Sequence, residues 1–447
     1  MQKIYPLLLL LLCPLLSISQ SPNDQQLLLG WWEGAFIKAN SYQKIELNFT
    51  QKDQEMFGFQ VMEEWHPSFG EFQVPVQIDS TGTIRLTTGY GKAELKLDKN
   101  NLELLGQITD VSPIIYLHLK KVPPKPTPNY RIEEVSINSQ GAKIAGHLHI
   151  PQNSQHHTAI IIVGGRGCYP SEPQYDLNAK FLREYGVSVL AYQKRGTGQS
   201  TGDCATASIQ NLATDLKNVK EFLASHPNNY QKIGVLGASA GGWTMTKAQE
   251  MTDFDFMISI VGPSTSVKEQ QLQSMDYGSE FFNLEPQALQ NLETYTKLML
   301  EADATEETFA QMNALLANAE QEGWKQLLED TDVSSSVEGL NNLWVRRHAY
   351  APKNVLMTYD KPFLAIYGEK DWIVPHEENI QLLEECFANR KDQLTTLVVH
   401  GAGHGMETEA EWIKLAPNRS YWRFFRISPA LRIAMIDFLH KHNLIKQ

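Results

Sequence analysis

The sequence predicts two folds in series. A small all-β domain, a barrel or a sandwich, is followed by an α/β domain with a mostly parallel sheet and a helical cap. Three observations predict this. From Trp31 to about Val122, short runs alternate apolar and polar residues between turn signals, with no helix-period segment among them. VPPKPTPNY, Val122 to Tyr130, then reads as a proline-rich, semi-rigid linker. Beyond it, continuously apolar strands alternate with single amphipathic helices, the grammar of a sheet buried on both faces. At 447 residues the chain is long enough for both domains.

The N-terminal stretch MQKIYPLLLLLLCPLLSISQS has one early lysine, a leucine-rich core and a small-x-small ending at Ser17-Ile18-Ser19. It reads as a secretory leader, residues 1–19, and places the mature chain in a secreted or periplasmic setting. The apolar run is short for a membrane span and no basic stop-transfer flank follows, so stable membrane insertion is not expected. Cys13 is followed by Pro14 and preceded by leucines, unlike a lipidated cysteine.

The β-domain, 20–121, contains KIELNFT, GFQVME, GTIRLTTG, KAELKLDKNNLELLGQI and PIIYLHLKKV, with Asp98-Lys99-Asn100-Asn101 as a hairpin turn. Trp31-Trp32 reads as its core rather than as a ligand platform. After the linker at 122–130, the second domain, 131–447, opens with RIEEVSI and AKIAGHLHI as a hairpin. TAIIIVGG, VSVLAYQ, KIGVLGAS and FDFMISIVG follow as strands, separated by helices at 176–186, 208–226 and 240–251. The 208–226 helix carries Ile209, Leu212, Leu216, Val219, Phe222 and Leu223 on one face, a stripe suited to packing on a sheet. Residues from about 263 to 358 break the alternation and are helical, rich in Leu, Ala, Glu and Gln. Such an insertion before the last strands reads as a cap over one sheet edge. The sheet resumes at KPFLAIYGEKD, passes a helix at 375–389 to QLTTLVVHGAGHG, and ends in a helix at 428–442.

A formal charge of -12 argues against nucleic acid or an anionic membrane as partner. Three cysteines lie beyond the leader: Cys168, Cys204 and Cys386. Export permits disulfides, and the odd count leaves at least one thiol unpaired within the chain. His147, His149, His156 and His157 have no accompanying carboxylate or cysteine cluster, so they read as structural. Neither a metal nor an organic cofactor is expected.

Gly237-Ala238-Ser239-Ala240-Gly241 fits G-x-S-x-G, a sharp strand-to-helix turn with a nucleophilic serine at its apex. It does not fit the phosphate-cradling G-x-G-x-x-G, and no G-K-[ST] follows. A serine hydroxyl is a weak nucleophile without a base, and the base needs a third group to hold its tautomer. Asp371 follows a strand in GEKDWIVP, and His404 follows another in HGAGHG. Both therefore emerge at the sheet edge that carries Ser239. Their bland rivals are Asp371 as a helix cap before VPHEEN, and His400 in place of His404, although His400 still belongs to the strand. Asp253 and Asp255 begin a strand and lie at the wrong edge.

On GASAGG, GEKDWIVP and GAGHG, in the order Ser, Asp, His, the chain resembles the α/β-hydrolase superfamily from about Arg131 to its C-terminus. YQKRGTGQSTGD is similar to the family's D-x-R-G-x-G-x-S loop, with Gln193 near the place of the usual aspartate. With the leader and the β-domain, the chain looks like a branch of secreted bacterial esterases, relatives of serine aminopeptidases and dienelactone hydrolases. The resemblance implies an oxyanion hole made by the backbone N–H groups of Ala240 and of Arg166. Gly164-Gly165-Arg166-Gly167 stands where the family usually has His-Gly-Ser-Gly. The Arg166 guanidinium then either faces the pocket, favouring esters with an anionic group, or folds outward to a structural acid. The resemblance also makes the loops holding Cys168 and Cys204 neighbours, which brings a disulfide within reach.

These readings describe a serine hydrolase acting on a small-molecule carboxylic ester through an acyl-enzyme on Ser239. The alternatives are a peptidase or aminopeptidase acting on short peptides, and a non-catalytic binding protein. A propeller of four blades needs about 160 residues, more than the β-domain offers, which counts against the prolyl-oligopeptidase class. Nothing in the sequence signals an oligomeric state.

Overall fold

The computed structural model describes residues 22–38, 41–62, 71–126, 128–152, 157–169, 176–407, 424 and 426–446. The leader expected at 1–19 and His156 lie outside them. The chain divides into two compact units, Met1–Gln60 with Gln73–Lys125, and Val61–Phe72 with Pro126–Gln447.

In the first unit a short helix, α1 (Pro22–Leu28), precedes eight strands: β1 (Gly30–Lys38), β2 (Ser41–Lys52), β3 (Glu55–Val61), β4 (Glu71–Ile78), β5 (Ile84–Thr88), β6 (Gly91–Asp98), β7 (Glu103–Ile108) and β8 (Ile115–Lys121). They close into a barrel, with β8 running antiparallel beside β1. Of barrel and sandwich, the structure is the barrel. Alternate residues face inward, so Trp32, Phe36, Leu47, Leu95, Leu104, Leu117 and Leu119 fill the interior. Closure leaves no open edge to recruit another strand. The Asp98 turn joins β6 to β7, its carboxylate accepting from Asn100 N at 2.9 Å. Of the tryptophan pair, Trp32 is fully buried, and its indole donates to Leu28 O at 2.8 Å.

The second unit is an eight-stranded mixed sheet. Its strands are β9 (Tyr130–Ser139), β10 (Ala142–Pro151), β11 (Thr158–Val163), β12 (Ser188–Tyr192), β13 (Lys232–Ala238), β14 (Met257–Ile260), β15 (Phe363–Gly368) and β16 (Leu394–Val399). Their order across the sheet is β16-β15-β14-β13-β11-β12-β10-β9. The β9–β10 and β10–β12 pairs are antiparallel and the rest are parallel. The central strands are buried on both faces, as their unbroken apolar runs require.

Helices cover both faces. α2 (Leu177–Glu184) follows β11. α3 (Ile209–Ala224) lays Ile209, Leu216, Val219 and Leu223 inward and starts at a Ser208–Asn211 capping box. α4 (Gly241–Gln249) follows β13. Between β14 and β15 the chain leaves the sheet for the helical insertion α5 (Val267–Phe281), α6 (Pro286–Glu301), α7 (Glu306–Ala319), α8 (Trp344–Arg347) and α9 (Lys353–Thr358). The insertion has its own core around Leu292, Tyr295, Met299, Trp324 and Leu340. α10 (His376–Cys386) and α11 (Pro429–Lys441) complete the layers.

Candidate active site

Ser239 sits where β13 ends and α4 begins, with a φ of 51°. That left-handed conformation costs a residue with a side chain roughly 1–3 kcal/mol, and the neighbouring contacts hold it in place. Ser239 N donates to Ile260 O at 2.9 Å, and Gly242 N donates to Ser239 O at 2.8 Å. The glycines on either side are explained by steric crowding. A Cβ on Gly237 would lie 2.7 Å from Gly241 O, and one on Gly241 would lie 2.6 Å from Val163 O. Only glycine lets strand and helix approach this closely.

Asp371 lies just beyond β15 and His404 just beyond β16, so both reach the edge at which Ser239 emerges. His404 Nε2 is 2.9 Å from Ser239 Oγ, and Nδ1 is 2.9 Å from Asp371 Oδ2. The other oxygen, Asp371 Oδ1, accepts from Ile373 N at 2.9 Å and Val374 N at 3.0 Å. The rival reading of Asp371 as a helix cap does not hold, because α10 starts at His376 with Pro375 at its N-cap and no side-chain cap bond. One Asp371 oxygen closes the turn before it, while the second faces the imidazole. This division fixes the carboxylate. Burial pulls the His404 pKa down, but the Asp371 charge and hydrogen bond outweigh it and leave the pKa above the ordinary value. His400 is excluded by position: its side chain is 94% exposed and pairs with Glu369 at 2.8 Å. Asp255 receives Ile233 N, and Asp253 pairs with Lys361 at the far end of the sheet.

The loop after β11 passes directly over the serine. A Cβ on Gly165 would be 3.0 Å from Ser239 Cβ. Among the described residues, the backbone N–H groups of Arg166 and Ala240 donate no hydrogen bond, and both flank the serine. Two N–H groups left open beside a hydroxyl are the donor set an oxyanion requires.

The Arg166 side chain takes the outward course. Its guanidinium donates to Asp332 Oδ1 and Thr331 Oγ1, both at 2.6 Å, and lies over the Trp344 ring at 4.5 Å. Arg166 therefore ties the loop to the helical insertion, which places the insertion above this edge. A second tie is the disulfide between Cys168 and Cys204, whose Cα atoms are 5.8 Å apart. Cys386 is free and buried. A third tie was missed in the sequence: Lys194 Nζ donates to Gly165 O and, at 2.9 Å, to Gly167 O. Its one signal was a lysine directly after an apolar strand and beside the buried Arg195.

A cavity of about 430 Å³ opens beside Ser239 and His404, walled by Ile162, Leu236, Ile260, Met406 and Leu431. Among the described residues, Arg166, Lys194 and His404 are the basic side chains along its lining, the Arg166 guanidinium being turned to Asp332.

A nucleophile elbow on a mostly parallel sheet, with an acid and a histidine after its last strands and a helical cap, defines an α/β-hydrolase. Residues 154–411 match the family model described as serine aminopeptidase, S33, and the chain belongs to that family. It is a hydrolase fold preceded by a β-barrel. Similar solved structures include an esterase of Pyrococcus furiosus, at 17% identity, covering 72% of this chain and 96% of that one, with a TM-score of 0.43. Est1E of Butyrivibrio proteoclasticus with ferulic acid bound is 16% identical, covers 68% and 99%, and has a TM-score of 0.41. A proline iminopeptidase of Mycobacterium smegmatis is 16% identical, covers 70% and 99%, and has a TM-score of 0.42. No curated protein matches the chain.

Proposed function

We propose that this protein is an exported serine hydrolase that cleaves carboxylic esters through an acyl-enzyme. The observation that carries the reading is the unbroken hydrogen-bonded line from Ser239 through His404 to Asp371, beside two open N–H groups. In this mechanism His404 Nε2 takes the Ser239 proton as Oγ attacks the ester carbonyl. The carbonyl oxygen gains the charge that Ala240 and Arg166 N–H receive. His404 then protonates the departing alcohol, and a water attacks the acyl-Ser239 with His404 again as base. Asp371 holds Nδ1–H and stabilises the imidazolium. No cofactor takes part.

The choice of ester over peptide rests on the lining of the cavity. Its walls are apolar, and among the described residues that line it there is no carboxylate to receive the ammonium of a peptide N-terminus. Such a site favours an acyl chain over a charged aminoacyl group. Export is supported by the Cys168–Cys204 disulfide, a bond suited to an oxidising compartment.

The test is a parallel assay of p-nitrophenyl esters and aminoacyl-nitroanilides with the wild type, Ser239→Ala, His404→Ala and Asp371→Asn. Ester turnover should dominate and fall by about 10³-fold or more in each variant, with folding retained. Near-normal ester cleavage by Ser239→Ala would sink the proposal. Preferred cleavage of the nitroanilides would replace ester with peptide.

A further inference from the structure

Lys194 stands in a loop whose backbone is held on both sides. Next to it, Arg195 grips the buried Asp215 with two bonds of 2.6 and 2.8 Å. Gln193 Oε1 accepts from Gln199 N at 2.7 Å, and the same loop ends at Cys204 in the disulfide. From this anchored position the Lys194 side chain crosses to the loop after β11 and binds the carbonyls of Gly165 and Gly167. An ammonium drawn out of water onto two backbone carbonyls is costly, and a neutral side chain would fill the space more cheaply.

The Gly165 carbonyl and the Arg166 N–H are the two ends of one planar peptide group and point in opposite directions across it. Whatever pins the carbonyl also sets the direction of the N–H. A positive charge on the oxygen further draws electron density from the nitrogen and strengthens that donor. This peptide lies against the nucleophile, as the 3.0 Å approach of a Gly165 Cβ to Ser239 Cβ records. We infer that Lys194 is a positioning residue for the oxyanion hole, its ammonium holding the carbonyl end of the Gly165–Arg166 peptide so that the N–H end serves Ser239. The inference rests on the serine-hydrolase reading above.

The arrangement carries a pH dependence. Burial lowers the Lys194 pKa to about 8, against a smaller upward pull from Glu329. The other charged or titratable groups around it are Arg166 and Tyr169 on the facing loop, Arg347 and His348 from the insertion, and His404 across the cavity. Tyr192, Arg195 and Asp215 flank its own loop. Burial, with Arg347 and Lys194 nearby, holds His348 at about 4, so it is neutral where the enzyme works. The Lys194 ammonium is present below pH 8 and lost as pH rises through it. The neutral amine still donates hydrogen bonds but no longer polarises the peptide, so kcat should fall on that basic limb.

The experiment compares kcat and KM for p-nitrophenyl butyrate, from about pH 6 to about pH 10, in the wild type, Lys194→Met and Lys194→Arg. Lys194→Met should lose about 10- to 100-fold in kcat, less than or equal to the cost of deleting one oxyanion donor. KM should stay within about twofold, and the basic limb near pH 8 should disappear. Lys194→Arg should recover most of kcat and hold it through the alkaline range, because its guanidinium does not titrate there. A purely structural lysine would not move the limb. Unchanged kcat with the limb intact in Lys194→Met overturns the inference, and so does a wild type with no basic limb. If Lys194→Met does not fold, a limb near pH 8 surviving in Lys194→Arg overturns it equally. Failure of the underlying reading is seen separately, as hydrolysis by the wild type that Ser239→Ala leaves untouched.

Discussion

Arg166 uses its backbone and its side chain in opposite directions. The N–H stays beside Ser239, while the guanidinium is locked against Asp332, whose side chain is 2% exposed. Arg166→Ser leaves that carboxylate buried without its partner, a loss of about 3 kcal/mol or more. Chemical denaturation should show it as a lowered midpoint. The ratio of kcat/KM for a neutral and a matched anionic ester should not change, because the guanidinium does not face the substrate. A tenfold shift in that ratio would return it to recognition. His404 carries the matching pH prediction. Its charged form is favoured by Asp371, so the acid limb of kcat/KM should lie above the ordinary imidazole value of 6.5. Activity should rise as pH rises through that limb. Asp371→Asn removes the charge that supports the imidazolium, so the residual activity should show its limb at lower pH. A limb left in place would mean that Asp371 does not govern the base.

Between elements, the loops after β11 and β12 act as one unit. The Cys168–Cys204 bond spans 36 residues of sequence. On the chain-entropy model, closing such a loop is worth about 3–4 kcal/mol. Mild reduction should lower the unfolding midpoint accordingly and should loosen the Gly165–Arg166 peptide, reducing kcat more than it raises KM. Unchanged stability on reduction, with thiol titration proving the bond open, would remove the bond from the stability account. The insertion from α5 to α9 is the element that meets this loop, through Thr331, Asp332 and Trp344. Replacing residues 263–358 with a short linker should therefore alter acyl-chain preference and weaken the oxyanion donor together. A folded variant with an unchanged chain-length profile would exclude the insertion from substrate selection.

At the scale of the whole molecule, the barrel and the mixed sheet are separate hydrogen-bonded sheets. All the groups proposed for the chemistry lie after β11. A chain starting at Tyr130 should therefore keep Ser239-dependent ester cleavage, and the barrel is proposed as a targeting or positioning module. A folded but inert product would show that the barrel contributes to the site.

The sequence by itself determined what depends on local period and spacing. The β-to-α/β change at the linker, the helical insertion and the G-x-S-x-G spacing are all written in local pattern, although the crowding that requires glycine at 241 comes from Val163 on another strand. The order Ser239, Asp371, His404 is equally legible, because each follows an apolar strand and parallel strands end at one edge. The structure brings those three side chains into hydrogen-bond contact. Tertiary structure alone decided barrel over sandwich, because closure depends on the register between β1 and β8 at opposite ends of that domain. It also decided the outward course of Arg166, the Cys168–Cys204 pairing and the carbonyls that Lys194 holds. Those partners lie 27 to 166 residues away in sequence. Which one a long side chain reaches is set by strand order and loop packing, and no local pattern records either.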